Sequence, residues 1–139
     1  MTPAEMSRIH ALSFPDERGW TTDEFTTLLA PAHVFAVSEP RGFAVIRDVA
    51  GEAELLTLAV HPDHRRQGIA DRLMTRWMHA CTATEAFLEV AADNHPAIAL
   101  YTRHRFAEAG RRKAYYARPG RPAADALLMR AALTPRKMA

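Results

Sequence analysis

The chain has 139 residues, of which 48% are hydrophobic and 24% charged, a composition typical of one globular domain with its own core. Its formal charge of +2 permits an anionic ligand without requiring nucleic acid, and its single cysteine excludes an internal disulfide and an all-cysteine metal site. No apolar run reaches the roughly 18 residues of a membrane span, and the first residues lack a signal-peptide pattern, so we expect a cytoplasmic protein.

Two helices are predicted at the start of the chain. Residues 2–5 and residues 21–24 each form a capping box, in which threonine and glutamate side chains satisfy free backbone N–H groups. Proline and glycine mark residues 14–20, between these helices, as a loop. The second helix is expected to run through Leu29 and to stop at Pro31, since proline cannot continue a helix.

Strands and helices alternate through the rest of the chain, which predicts a mixed sheet and an α/β or α+β fold. The first three strands are expected to form an antiparallel meander. Predicted strands occupy residues 33–38, 43–49, 53–60, 85–90, 106–117 and 125–133, and predicted helices occupy residues 67–80 and about 96–103. The predicted last turn and frayed tail are residues 119–122 and 134–139. We interpret residues 1–139 as one domain, with a helical region at 1–32 and a sheet core at 33–133.

The segment from Arg65 to Ala70 joins a predicted strand to a predicted helix. Free N–H groups at the helix start and the missing side chain of Gly68 favour a bound phosphate. Arginines there oppose the helix dipole, which an anion between them would relieve. The residues alone leave a solvated, arginine-rich helix start as the alternative. The chain has no Gly-x-Gly-x-x-Gly and no Gly-Lys-Ser/Thr, which argues against a dinucleotide fold and a nucleotide triphosphatase loop.

The spacing Arg65-x-x-Gly68-x-Ala70 resembles the Arg/Gln-x-x-Gly-x-Gly/Ala pattern of the GCN5-related N-acetyltransferase (GNAT) superfamily. Four later segments, in their order, resemble the RimI-like branch, the ribosomal-protein-alanine N-acetyltransferases: residues 88–94, 97–101, 111–116 and 125–129. The resemblance covers roughly residues 54–133. It implies the GNAT fold, in which helices flank a mixed and mostly antiparallel sheet of about six strands. It also implies acetyl-CoA as co-substrate, direct transfer of the acetyl group to an amine, and no metal.

The resemblance assigns roles to three groups of residues. Glu89 matches the general base and Tyr101 the general acid, while Trp20, Tyr115 and Tyr116 would face the acceptor. These roles suit the chemistry, because an α-amine has a pKa of about 7.7–8.0 and the leaving thiol resembles cysteine at about 8.5. The coenzyme-binding residues it implies are Leu58, Ala59, Val60, Arg65, Arg66, Gln67, Gly68, Ile69, Ala70, Asp71 and Asn94.

Each assignment also has a structural interpretation. Glu89 is then a solvated carboxylate at a strand end, Tyr101 a packed ring, and Asn94 an ordinary N-cap. The favoured acceptor is a protein N-terminal α-amine, such as that of a small-subunit ribosomal protein, and a small-molecule amine is the alternative. A different class of function is a non-catalytic module that binds coenzyme A, RNA or a ribosomal surface through Arg111, Arg112 and Lys113. We expect no membrane contact and no direct nucleic-acid binding.

The sequence departs from the family pattern at four places. The first helix begins at the chain start, so the first family strand is expected to be missing. Ala70 replaces a glycine, and Asp71 stands where RimI-like enzymes commonly carry arginine, which should weaken attraction of the pyrophosphate. Arg105 replaces a helix-ending glycine, so either it is left-handed, at a cost of about 1–2 kcal/mol, or the helix ends differently.

Other chemistry receives less support. His61 and His64 lie three residues apart beside Asp63, but a zinc site needs more converging ligands. Cys81 at a helix end is interpreted as a small apolar residue rather than a nucleophile. No serine lies in a Gly-x-Ser-x-Gly elbow.

Overall fold

The computed structural model describes residues 1–134. The predicted frayed tail therefore lies outside the described residues, apart from Thr134. Within that range the chain forms four α-helices, one 3₁₀ turn and six strands. In chain order these are α1 (Pro3–Ser13), α2 (Thr22–Leu29), β1 (Val34–Glu39), β2 (Gly42–Val49), β3 (Glu52–Val60), the 3₁₀ turn (Pro62–His64), α3 (Ile69–Ala80), β4 (Glu85–Ala91), α4 (His95–Arg103), β5 (Ala107–Arg118) and β6 (Arg121–Ala132).

Both predicted capping boxes begin their helices. The Thr2 hydroxyl accepts a hydrogen bond from the Glu5 N–H at 3.2 Å, and the Thr21 hydroxyl accepts one from the Glu24 N–H at 3.1 Å. In both boxes the glutamate accepts the threonine N–H in return. These contacts satisfy N–H groups that lack helical partners, and they fix where α1 and α2 start.

The six strands form one sheet in the order β1-β2-β3-β4-β6-β5. Every neighbouring pair is antiparallel except β3 and β4, which are parallel. The mixed, mostly antiparallel sheet predicted from the sequence is confirmed, including the meander of β1 to β3. Both α1 and α2 precede the first strand, as the sequence indicates.

Side-chain alternation along β2 separates two cores. Phe43 and Val45 pack with α1 and α2, while Ala44 and Ile46 pack with α3 and α4 on the opposite face. Trp77 of α3 is fully buried in the second core. Helices therefore cover both faces of the sheet.

Strands β3 and β4 separate soon after they begin to pair. Their parallel register covers only Glu52 to Glu54 against Glu85 to Phe87. Against β2, Val45 faces Thr57 and Ile46 faces Leu55, so Leu56 is an extra residue in β3. Such a bulge bends its strand. The bend follows directly on the last paired residue, and it opens a gap in the sheet between residues 55–60 and residues 88–91.

Two element boundaries differ from the sequence prediction by more than one residue. Helix α3 begins at Ile69 rather than residue 67, because Arg66 (φ 63°) and Gly68 (φ 77°) are left-handed. Strand β6 begins at Arg121 rather than residue 125, since Arg118 pairs with Arg121 across a two-residue turn. Gly120 has a φ of 68°, which lets the turn close within those two residues.

Candidate active site

A cavity of about 970 Å³ occupies the gap between β3 and β4. One wall is residues 55–60 of β3 and the opposite wall is residues 88–91 of β4. The start of α3, helix α4, the loop between α1 and α2, and the end of β5 complete the lining. The β3 wall faces no strand beyond Glu54, so its backbone groups on that side are available to a ligand that carries amides.

The turn before α3 provides backbone N–H groups at the cavity. Gly68 is the N-cap of α3, and no side chain caps this helix start. Left-handed residues two positions apart, Arg66 and Gly68, form the kind of concave backbone in which successive N–H groups point toward an anion. A left-handed arginine costs about 1–2 kcal/mol, so Arg66 stores strain at this turn. The arrangement fits a pyrophosphate.

Most of the predicted coenzyme-binding residues line this cavity. Gln67 is the exception, because it does not line the cavity and its carbonyl accepts a hydrogen bond from Arg72 at 3.1 Å. Those that line it are Leu58, Ala59, Val60, Arg65, Arg66, Gly68, Ile69, Ala70, Asp71 and Asn94.

The carboxylate of Asp71 is not an isolated negative charge beside this turn. It lies 2.8 Å from Nε2 of His104 and 3.2 Å from Nη2 of Arg103, both at the end of α4. Partial burial acts to raise the pKa of Asp71, but the hydrogen bonds from His104 and Arg103 outweigh it and lower that pKa. The repulsion expected from the sequence is therefore offset by partners 32 and 33 residues away.

Glu89 and Tyr101 reach the cavity from opposite faces of the sheet. Tyr101 belongs to the core that contains Leu88 and Val90, and Glu89 lies between those two residues on the strand, so its side chain faces the other way. Both side chains line the cavity, which opens to both faces through the gap. The lining of one cavity therefore includes both residues to which the family resemblance assigns the base and the acid, and these roles stay predictions.

The two side chains have different surroundings. The Glu89 side chain is 26% exposed, and its Oε1 lies 3.1 Å from Nη2 of Arg112. Tyr101 is 8% exposed, and its ring packs edge-on against Phe106. Burial, and to a lesser extent Tyr116, raises the pKa of the Tyr101 hydroxyl. This hydroxyl therefore stays protonated at neutral pH.

Asn94 is a helix cap and also a cavity residue. Its Oδ1 accepts a hydrogen bond from the Ala97 N–H at 3.3 Å, so it is the N-cap of α4. It also lines the cavity.

The three predicted acceptor residues are placed differently. Trp20 lines the cavity, and its ring stacks on His10 with centroids 4.8 Å apart. Tyr116 is half-buried and also lines the cavity, and burial, followed by Glu89 and Glu17, raises its pKa to about 12. Tyr115 is 54% exposed and does not line the cavity.

Several cavity residues were missed by sequence reasoning. His10 is buried, accepts a hydrogen bond from the Trp20 N–H at 3.3 Å and has a pKa lowered by burial to about 4, so it stays neutral. Arg118 is nearly buried and forms two 2.9 Å hydrogen bonds to Asp93. No local pattern signals this pair, because its members lie 25 residues apart.

The histidine and cysteine side chains singled out in the sequence do not form a site of another class within the described residues. The His61 and His64 rings lie 5.5 Å apart, but within residues 1–134 no three histidine, cysteine, aspartate or glutamate side chains are grouped as metal ligands. Burial raises the pKa of the Cys81 thiol to about 12, which makes it unreactive. In the same range, no helix is long and apolar enough to cross a membrane.

Comparison with known proteins identifies the class. A profile of the Acetyltransferase (GNAT) family matches residues 4–106. A Bacillus subtilis (strain 168) protein, provisionally named a ribosomal protein bS18-alanine N-acetyltransferase, is 32% identical over 130 residues, which cover 87% of this chain and 83% of that protein. The chain therefore belongs to the GNAT family, and it is an N-acetyltransferase with acetyl-CoA as donor.

Two further comparisons define the extent of the similarity. The crystal structure of the ribosomal-protein-S18-alanine N-acetyltransferase from Escherichia coli has a TM-score of 0.83 and 26% identity, covering 99% of this chain and 89% of that chain. An uncharacterised Mycobacterium leprae (strain TN) protein is 32% identical over 142 residues. The match covers 94% of this chain but only 39% of the length of that protein. The resemblance to RimI-like enzymes inferred from the sequence is confirmed.

Proposed function

We propose that this chain transfers the acetyl group of acetyl-CoA to the N-terminal α-amine of a protein. The observation that carries the proposal is that one cavity joins a phosphate-binding turn, an unpaired strand edge, a carboxylate and a protonated tyrosine. The B. subtilis relative and the E. coli structure carry names that specify an alanine of ribosomal protein S18. A small-subunit ribosomal protein is accordingly the proposed partner.

The donor would occupy the gap between β3 and β4. N–H groups of residues 66–71 would hold the pyrophosphate, with the Arg65 and Arg66 side chains nearby. Backbone groups of Leu58, Ala59 and Val60 would bond the pantetheine amides. The thioester would then lie between Glu89 and Tyr101.

Glu89 would act as the base. The acceptor arrives mostly as an ammonium ion, because the pKa of an α-amine is about 7.7–8.0. Its proton passes to the Glu89 carboxylate, directly or through water. The neutral nitrogen then attacks the thioester carbonyl carbon, a C–N bond forms, and the carbonyl π electrons move to oxygen. When these electrons return and the thiolate leaves, the nitrogen loses its second proton to solvent, from which Tyr101 regains the proton that it gives to sulfur.

Tyr101 would act as the acid. As the C–S bond breaks, the hydroxyl donates a hydrogen bond to sulfur, and proton transfer along this bond gives the neutral thiol. Burial favours this role, because it keeps the hydroxyl protonated over the pH range of the reaction.

The acceptor would approach along Trp20 and Tyr116, which line the cavity on the side of the loop between α1 and α2. Tyr115 would contact only those parts of a longer peptide that remain outside the cavity.

A thiol-release assay tests the acceptor. A peptide with an N-terminal alanine should release coenzyme A thiol, and the same peptide with a blocked N-terminus should release none. Turnover of small amines together with inactivity toward every peptide would contradict the proposal. Glu89→Gln should lower the rate most below about pH 8, where an α-amine is mainly protonated.

A further inference from the structure

We infer that Arg112 is a positioning residue, which holds the Glu89 carboxylate in place at the cavity and disfavours the ammonium form of the bound acceptor. The inference rests on the proposed role of Glu89 as base.

The contact is specific to one side chain. Nη2 of Arg112 lies 3.1 Å from Oε1 of Glu89, and within the described residues this is the only ion pair that Glu89 makes. Arg112 is 62% exposed and does not line the cavity, whereas Glu89 does. The guanidinium therefore approaches the carboxylate from outside and leaves the acceptor path open.

A wide bulge in β5 fixes the place of Arg112. Arg112 pairs with Ala126 and Tyr116 with Ala124, so β5 carries two residues more than β6 between these pairs. Asp125 holds the bulge, because one oxygen accepts the Ala114 N–H at 2.9 Å and the other lies 2.9 Å from Arg111. Arg112 and Tyr116 thus lie at the two ends of a short segment, residues 113–115, that is hydrogen-bonded to Asp125.

The charges around Glu89 explain why it needs a cation. Glu54 of β3 and Glu89 repel each other, and Glu54 is itself paired with Arg47 of β2 at 3.1 Å. Tyr116 of β5 is neutral and also close to Glu89. Without Arg112, the Glu89 carboxylate would keep the repulsion from Glu54 and would have no ion-pair partner among the described residues to hold it at the cavity.

The same cation affects the acceptor. A positive charge close to a bound amine makes its ammonium form less favourable, so the amine loses its proton at lower pH. Loss of the charge of Arg112 should therefore move the acidic limb of the rate profile to higher pH.

The test is a set of pH profiles of kcat with acetyl-CoA and an N-terminal alanine peptide. Arg112→Gln should lower kcat at pH 7 about three- to tenfold and move the acidic limb up by about half to one pH unit, with the KM for acetyl-CoA unchanged. Arg112→Lys should recover most of the lost kcat and most of the shift of the acidic limb. Lys113→Gln, the matched control, removes the same charge from the next residue and should leave the profile unchanged.

Several outcomes would overturn the inference. One is an unchanged limb in Arg112→Gln, and another is an equal shift in Lys113→Gln, which would indicate net charge alone. A change confined to the peptide KM would make Arg112 a binding contact. In a Glu89→Gln background, Arg112→Gln should have a smaller effect, because only its action on the bound amine remains. If Glu89→Gln itself behaves as wild type, the proposed base fails, whereas a large effect of Glu89→Gln with none of Arg112→Gln refutes only the present inference.

Discussion

Tyr101 carries a hydroxyl at the cavity inside an otherwise apolar setting. Its ring is buried with Leu100 and Phe106, and within residues 1–134 no protein group is hydrogen-bonded to its oxygen. Burial raises the pKa of this hydroxyl, so the group offers a proton and no charge. If Tyr101 served only to pack, its hydroxyl would add no protein hydrogen bond to stability, and phenylalanine would serve equally well. The presence of the hydroxyl therefore favours the proposed chemical role.

Replacing Tyr101 by phenylalanine should separate packing from chemistry. The ring contacts remain, so the melting temperature and acetyl-CoA affinity should stay near wild type, while kcat should fall about 10²-fold or more with the loss of a general acid. Calorimetric titration and thiol release measure these quantities. As a control, Tyr115→Phe removes a hydroxyl from an exposed tyrosine that does not line the cavity, and turnover should be unchanged. Unchanged turnover in Tyr101→Phe would place the acid elsewhere.

At the scale of single elements, α4 ends under strain. Arg105 has a φ of 73°, and the Phe106 N–H donates to the Tyr101 carbonyl at 3.0 Å across it. This is the closure that a glycine usually makes at a helix end. Of the two endings that the sequence left open, the structure has the left-handed arginine. Its side chain is exposed, and it makes no ion pair within the part of the chain that the structure describes.

Arg105→Gly should relieve that strain. Relief of about 1–2 kcal/mol is partly offset by the greater freedom of glycine in the unfolded chain, about 0.4–1 kcal/mol. The net gain should be about 0.5–1 kcal/mol, or about 2–4 °C in melting temperature, with unchanged kcat. Arg105→Ala keeps the strained φ and removes the side chain, so it should show no such gain. An equal rise in both variants would mean that the arginine side chain, not its backbone, is unfavourable.

At the scale of the whole molecule, the candidate active site is a break in the sheet. Strands β1 to β3 form one half and β4, β6 and β5 the other, joined by a short parallel pairing. An ion pair between Arg121 and Asp16, at 3.2 Å, links the β5–β6 hairpin to the loop between α1 and α2. A ligand inserted in the gap would contact both halves and should stabilise the fold as a whole.

Acetyl-CoA should therefore bind saturably and raise the melting temperature. At a hundred times its Kd it should add about 2.7 kcal/mol to the free energy of unfolding. Hydrogen exchange should slow at residues 55–60 and 68–71 together, because the ligand bridges strand edge and turn. Adenosine 3′,5′-bisphosphate, which lacks the pantetheine arm, should protect the turn but not the strand edge. A flat titration up to millimolar acetyl-CoA would contradict the coenzyme site.

Residues close in sequence determined much of this protein. Capping boxes at Thr2 and Thr21 fixed two helix starts, and apolar periodicity indicated the strands, α3 and the mixed sheet. The spacing from Arg65 to Ala70 indicated the phosphate turn, and its context indicated the family. Such features depend on interactions within a few residues, so their pattern can be read along the chain.

Only the tertiary structure decided which distant groups meet. The bulge at Leu56 opens the gap, and the bulge in β5 sends Tyr115 outward while it keeps Tyr116 at the cavity. His104 offsets the charge of Asp71, and Arg112 reaches Glu89 from a strand two positions away in the sheet. These contacts join residues 23 to 33 positions apart, and a single sequence leaves no local trace of them, because strand register and long-range ion pairs are fixed only when the elements pack.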